Sequence, residues 1–92
     1  WGTDAYWEHP YLTAECARRC ATLGVDVGLD VPSVDAPGTH LQAHHELFRG
    51  DRLIVENLRN LDGLPERVTV YAFPLIFGPA DGGPARVVAD AE

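Results

Sequence analysis

The chain has 92 residues, 46% of them apolar and 23% charged, which is typical of one small globular domain and not of a disordered or membrane-spanning chain. Its longest apolar run, residues 70–77, contains Pro74 and is far shorter than the roughly 20 residues needed to cross a bilayer. Arginines and acidic residues leave a net charge of -7, which repels phosphate backbones and excludes nucleic acid as a partner. No signal or transit sequence is visible.

Large aromatic side chains are concentrated at the beginning of the chain. The segment over residues 1–11 contains Trp1, Tyr6, Trp7 and Tyr11 among turn-forming residues and is predicted to be irregular. Such a segment either covers a core or lines a ligand pocket. Because burial dominates the energetics of large aromatic side chains, the pattern favours the first role.

The first helix is predicted between Thr13, whose hydroxyl can cap it, and Gly24, which can adopt the left-handed conformation that ends it. Glu15 would lie favourably in the first turn. Cys16 and Cys20 would share the apolar face, and regular helices rarely give the geometry of a disulfide. We therefore expect two buried free thiols and a cytoplasmic location, with a metal or redox pair as the alternative.

A strand and a loop follow the helix. Apolar residues alternate with polar ones or glycine over residues 25–31, which predicts a strand with one buried face that ends at Pro32. Turn-forming residues then indicate a loop over residues 33–39. Three polar residues near this strand end are candidates for a pocket wall: Asp30, Ser33 and Asp35. The alternative is that they only make local turn hydrogen bonds.

One stretch of the sequence contains a histidine and a glutamate that could ligate the same metal ion, His44 and Glu56, twelve residues apart. A helix predicted over residues 40–48 and ended by Gly50 would carry His44, and an extended run over residues 53–55 would bring Glu56 back beside it. One nitrogen and one carboxylate oxygen suit a divalent metal such as zinc. A catalytic zinc has about three protein ligands, so further ligands would have to come from elsewhere.

The last third of the chain predicts strands. One strand is expected over residues 68–73, with Pro74 ending it or confining it to a sheet edge and Ile76 and Phe77 extending it. Another is expected over residues 85–89. One or two helices with about four short strands predict a mixed α/β fold.

Several short motifs, in this order, resemble those of one known family. They are Trp1-Gly2-Thr3, His9-Pro10-Tyr11-Leu12-Thr13, the loop Asp30 to Asp35, Ala43-His44-His45, Val55-Glu56-Asn57-Leu58, Leu61 to Pro65 and Ala72-Phe73-Pro74-Leu75. Together they are similar to the C-terminal part of the metal-dependent cyclase superfamily, which includes bacterial kynurenine formamidases and isatin hydrolases. The resemblance covers less than half of a full-length member. It implies that residues 1–92 are the C-terminal portion of a single cyclase-like domain.

This resemblance implies a swivelling β/β/α fold and a hydrolase that opens an amide or cyclic amide with metal-activated water. It also implies a zinc or manganese ion, a small aromatic amide as substrate and a homo-oligomer. Which amide is cleaved stays open, and so does the choice between the two metals, because a His/carboxylate set accepts both. The alternative is a non-catalytic α/β fragment or divergent module for assembly or small-molecule binding.

The family's later metal ligands, a histidine and a glutamate twelve residues on, fall on His44 and Glu56. The earlier ligands and the proton shuttle come from a motif of the form His-x-Gly-Thr-His-x-Asp-x-Pro-x-His. These 92 residues lack it: residues 38–40 match three letters, but Gln42 stands where the aspartate belongs. We expect an N-terminal part or another subunit to supply those groups, and this chain alone to be inactive.

The remaining candidates would surround the metal or the substrate. Trp1 and Trp7 would face an aromatic substrate, and Ser33 or Asp35 would orient the loop beneath it. His45 would point about 100° away from His44 on a helix, which favours a supporting or surface role over ligation.

Overall fold

The computed structural model describes residues 2–75 and 78–90. The chain divides into two compact units, Trp1–Arg59 and Asn60–Glu92. The first contains both α-helices and a parallel pair of strands, and the second contains an antiparallel pair. The predicted small α/β class is confirmed, and the strands among the described residues form two two-stranded sheets.

Helix α1 spans Ala14–Leu23, as its end signals predict. The Thr13 hydroxyl accepts a hydrogen bond from the Cys16 backbone N–H at 3.1 Å, and Gly24 ends the helix in the left-handed conformation with φ 72°. Both cysteines are free, but the prediction that both are buried is wrong for Cys16. The helix buries Ala17 and part of Cys20. Cys16 precedes Ala17, so its side chain points about 100° away around the helix axis, and it is exposed.

Strand β1, Val27–Gly28, pairs in parallel with strand β2, Ile54–Val55. The observed strand is therefore shorter than the predicted one over residues 25–31. The predicted alternation is present, because side chains 27, 29 and 31 are partly buried and residues 28 and 30 are exposed. Its continuation still forms backbone bonds: the Leu29 N–H donates to the Val55 carbonyl at 2.9 Å. A parallel pair requires a crossover, and the helix between β1 and β2 provides it.

Helix α2, Gln42–Arg49, is that crossover helix and packs against α1. Among residues 2–75 and 78–90, the core between them contains four fully buried side chains: Ala17, Val34, Ala43 and Leu47. Val34 comes from the loop after β1, where the Leu12 N–H donates to its carbonyl at 2.8 Å. The loop is thus held against the helices, which fixes the residues on either side of Val34.

Gly50 lies so close to α1 that any side chain at this position should lower the stability of the fold. A Cβ atom there would lie 2.5 Å from the Ala21 Cβ atom, closer than carbon atoms pack. We expect Gly50→Ala to lower the free energy of unfolding by about 1–3 kcal/mol, the usual cost of overpacking. Gly82→Ala is the matched control, because nothing lies within 4 Å of its Cβ position. Urea unfolding with equal losses for both variants would contradict the close packing.

The second unit is a hairpin-like pair of strands. Strand β3, Thr69–Pro74, pairs antiparallel with strand β4, Ala85–Asp90, with Tyr71 opposite Val88. Both predicted strands are confirmed, and Pro74 occupies the last position of β3. The proposed extension through Ile76 and Phe77 lies outside the described residues.

The aromatic N-terminal segment forms a 3-10 helix over Asp4–Trp7 instead of covering the core. Trp7 is 58% exposed and Tyr11 is 59% exposed, so the expected burial is wrong for both. Leu12 packs against the core in their place. Trp1 lies outside the described residues. Within residues 2–75 and 78–90, neither helix has the length and apolar character required to cross a bilayer.

Candidate metal centre

His44 and Glu56 meet beside the parallel strands. His44 lies in the first turn of α2, and Glu56 directly follows β2, so the crossover returns the carboxylate to the imidazole. The His44 Nε2 atom lies 3.3 Å from the Glu56 Oε2 atom. The side chains are 18% and 31% exposed, which leaves the pair partly open to solvent.

Backbone geometry after β2 fixes the direction of Glu56. Asn57 has φ 59°, a left-handed conformation that asparagine tolerates better than most residues. Its N–H donates to the Val31 carbonyl at 3.0 Å, and the Tyr6 hydroxyl donates to its Oδ1 atom at 2.5 Å. The 3-10 helix and the continuation of β1 therefore both hold the residue next to Glu56.

Asp35 is buried, with 5% of its surface exposed, and accepts three hydrogen bonds from α2. Its Oδ1 atom accepts from the Ala43 backbone N–H at 2.8 Å. Its Oδ2 atom accepts from the His44 backbone N–H at 2.9 Å and contacts the His44 Nδ1 atom at 2.7 Å. Because Leu41 at the N-cap position makes no side-chain bond, Asp35 takes over the capping of this helix from six residues away.

Burial by itself raises the pKa of the Asp35 carboxyl group, but hydrogen bonds from the His44 side chain and from the backbone N–H groups of His44 and Ala43 outweigh it. The net pKa lies below the ordinary value. A lowered carboxylate pKa stabilises the folded state above the unfolded pKa of about 4, and this contribution disappears as the pH falls through the folded value.

We therefore expect urea unfolding to show a loss of stability below about pH 4 that is smaller in Asp35→Asn, which has no proton to gain. The variant should also be less stable at pH 7, by about 1–3 kcal/mol, because a capping carboxylate is lost. Asp30→Asn, an exposed aspartate in the same loop, is the control. Parallel stability curves for Asp35→Asn and the wild type below pH 4 would contradict this assignment.

The other predicted site residues separate into supporting and surface positions. The Ser33 Oγ atom accepts from the Asp35 N–H at 3.0 Å, so these two residues make the local turn bonds that were the alternative to a pocket wall. Asp30 is exposed. His45 is also exposed, on the side of α2 away from His44. Their roles toward substrate, and that of Trp7, stay predictions.

Two contacts at this site were not predicted. The Phe48 ring meets the His44 ring edge-on with centroids 5.8 Å apart, and the Tyr6–Asn57 bond braces the residue after Glu56. The first had a signal in the sequence, because residues four apart on a helix face each other. The second joins residues 51 positions apart and had none.

Comparison with known proteins finds similarity to bacterial kynurenine formamidases. The kynurenine formamidase of Bacillus cytotoxicus is 40% identical over 82 residues, which cover 86% of this chain and 39% of that protein. The kynurenine formamidase of Bacillus anthracis is 39% identical over 82 residues, with the same coverage. That of Bordetella petrii is 33% identical over 90 residues, which cover 96% of this chain and 42% of the relative. This chain is homologous to part of these kynurenine formamidases. No protein-family model matches it.

The chain spans about two fifths of the length of its kynurenine formamidase relatives. This agrees with the predicted resemblance to the C-terminal part of a cyclase-family protein. The described part of the chain contains no group of three or more His, Cys, Asp or Glu side chains that could hold a metal ion. A metal at the His44–Glu56 pair would therefore need ligands beyond those in the described residues.

The His44–Glu56 pair fits a divalent cation. Two ligand atoms about 2.1 Å from one ion lie roughly 3.0–3.4 Å apart at octahedral to tetrahedral angles, and the observed separation is 3.3 Å. The Glu56 Oε2 atom is buried and has no hydrogen-bond partner among the described residues. A buried carboxylate oxygen without a partner is costly unless a cation or a donor satisfies it.

Proposed function

We propose that this chain is the C-terminal portion of a metal-dependent hydrolase that cleaves a carbon–nitrogen bond in an amide or cyclic amide, with an arylformamide as the first candidate substrate. One observation carries the proposal: a chain homologous to part of the kynurenine formamidases brings His44 Nε2 and Glu56 Oε2 to 3.3 Å. The similarity suggests the reaction class, and the pair supplies a place for the ion.

His44 and Glu56 would hold zinc or manganese, because both ions accept one imidazole nitrogen and one carboxylate oxygen. The bound ion would supply an activated water and polarise the amide carbonyl. The chain's own residues would fix the position of the ion. Asp35 holds α2 and the His44 ring through its three contacts, and Asn57 directs the backbone beside Glu56.

Further ligands and the group that moves the proton would come from an N-terminal part or another subunit. A catalytic zinc uses about three protein ligands, and the pair provides two. The exposed Trp7 would offer a face to an aromatic substrate, and Trp1 is assigned the same role from the sequence. Homo-oligomerisation and a cytoplasmic location are further expectations of this proposal.

The test begins with the intact mass of the polypeptide isolated from its source cell, followed by metal analysis of that form. We expect a longer chain, or a complex with a second chain, that contains zinc or manganese and hydrolyses N-formylkynurenine or another aryl formamide. A panel that adds isatin and other cyclic amides would identify the substrate class. Loss of activity with a chelator and its return with metal is the control.

A 92-residue natural product that binds no metal and hydrolyses none of these amides would reject the proposal. The chain would then be the non-catalytic module that is the alternative from the sequence.

A further inference from the structure

The buried carboxylate of Asp35 bonds both the end of a helix and an imidazole. Its Oδ1 atom accepts from the Ala43 N–H, and its Oδ2 atom serves both the His44 N–H and the His44 Nδ1 atom. Only 7% of the Asp35 side chain is exposed, so solvent competes little for these bonds. The backbone and the ring of the same histidine are thereby tied to one oxygen atom.

This bond decides which nitrogen of His44 carries a proton. An ionised carboxylate only accepts, so the Nδ1 atom at 2.7 Å must donate its N–H. In the neutral ring the Nε2 atom then has a free lone pair, and it lies 3.3 Å from Glu56 Oε2, which is also an acceptor. Two acceptors directed at the same place suit a shared cation.

The carboxylate and the ring are braced from other directions. The Ser33 Oγ atom accepts from the Asp35 N–H at 3.0 Å, which fixes the turn that carries the carboxylate. Phe48, one turn after His44 on α2, packs edge-on against the imidazole with centroids 5.8 Å apart. The ring is therefore held by a hydrogen bond at one nitrogen and by an aromatic contact, and Nε2 is directed toward Glu56.

We propose that Asp35 is the positioning residue of the His44–Glu56 pair: its carboxylate holds the His44 ring in the Nδ1–H form, with Nε2 unprotonated and aimed at Glu56, and so sets the affinity of the pair for a divalent cation. The affinity half of this inference rests on the proposed function. Ligating histidines commonly donate their other N–H to a carboxylate, and loss of that partner typically weakens metal binding by about 10–100-fold.

The first measurement needs neither a variant nor a metal. In the metal-free, ¹⁵N-labelled full chain at neutral pH, long-range ¹H–¹⁵N correlation of the His44 ring should give a pyrrole-type signal for Nδ1 and a pyridine-type signal for Nε2. In Asp35→Ala the signals should move toward the Nε2–H form that an unrestrained imidazole favours. A predominantly Nε2–H ring in the wild type would overturn the inference even if the variant failed to fold.

The second measurement is zinc affinity of the intact protein, by competition with a chromophoric chelator. Asp35→Ala should bind zinc about 10–100-fold more weakly. Thr39→Ala is the matched control, because it removes a side-chain hydrogen bond from the same loop, the one that Thr39 Oγ1 donates to the Ala36 carbonyl at 2.7 Å, and keeps the Asp35 carboxylate. It should retain the Nδ1–H form and stay within about 3-fold of the wild-type affinity, well short of the loss expected when the carboxylate goes.

The outcomes separate this inference from the proposed function. A wild type that binds zinc, with Asp35→Ala binding equally well, overturns the positioning role and leaves the metal-dependent hydrolase intact. Equal losses in Thr39→Ala and Asp35→Ala would assign Asp35 a structural role only and also overturn the inference. A wild type in the Nδ1–H form that binds no zinc or manganese overturns the proposed function and, with it, the affinity half of the inference.

Discussion

Replacing His44 with alanine is expected to weaken zinc or manganese binding by the intact protein about 100-fold or more. In the proposed function the substitution removes one of the ligands of the ion, and loss of only the outer partner of such a ligand already costs about 10–100-fold. It also leaves the buried Glu56 Oε2 atom without its neighbour at 3.3 Å. Metal affinity and amide hydrolysis should fall together, because the proposed reaction uses the ion that this pair would hold.

His45→Ala is the matched control for this prediction. It deletes the same side chain one position along α2, but His45 is exposed and lies on another side of the helix. Its metal affinity should stay within about 3-fold of the wild type, since an exposed histidine on another face of the helix neither ligates the ion nor bonds a ligand. Equal weakening by both substitutions, with far-UV circular dichroism unchanged, would show that neither histidine is a specific ligand.

Leu47→Ala is expected to give the largest loss of stability among single substitutions in the first unit. Leu47 is fully buried and, with Val34, is the largest fully buried side chain in the part of the chain that the structure describes. Its truncation would leave a cavity between α1 and α2, and Leu→Ala changes at such positions lower the free energy of unfolding by about 2–5 kcal/mol. The described residues of this unit include four fully buried core side chains, so that loss is a large share of the free energy of unfolding of the unit.

The control is Leu23→Ala, the same change on the other helix at a side chain that is 62% exposed. It should alter stability by no more than about 0.5 kcal/mol. Denaturant unfolding of the two variants, followed by tryptophan fluorescence and far-UV circular dichroism, measures the difference. Similar losses for both would mean that the α1–α2 interface is not the core of this unit.

Local signals in the sequence account for the helices. Thr13 and Gly24 bound α1 as predicted, since a cap hydroxyl and a left-handed glycine act on neighbouring backbone groups. Gly50 likewise ends α2. The start of α2 differed: a helix from residue 40 was predicted, but the observed helix begins at Gln42, because its capping carboxylate comes from Asp35, outside the helix.

Burial was predicted less well than secondary structure. Trp7, Tyr11 and Cys16 were expected inside and are exposed, whereas Val34, in a loop of turn-forming residues, is fully buried. A small core has room for few side chains, and which ones fill it depends on how the helices and the loop meet. Periodicity shows that a face is apolar, but it does not show whether a neighbour covers that face.

The pairing of His44 with Glu56, twelve residues apart, was expected from a helix followed by an extended run and from the resemblance to the cyclase superfamily, and the structure brings the two side chains to 3.3 Å. The sequence by itself determined the two helices with their end signals and the α/β class. These features follow from short-range rules, because caps, turn residues and hydrophobic period act over a few positions. Only the tertiary structure decided that Asp35 bonds the His44 ring, that Tyr6 braces Asn57, and that the strands form two separate pairs. Those contacts join residues from 9 to 51 positions apart, and the folded backbone alone brings them within hydrogen-bond distance.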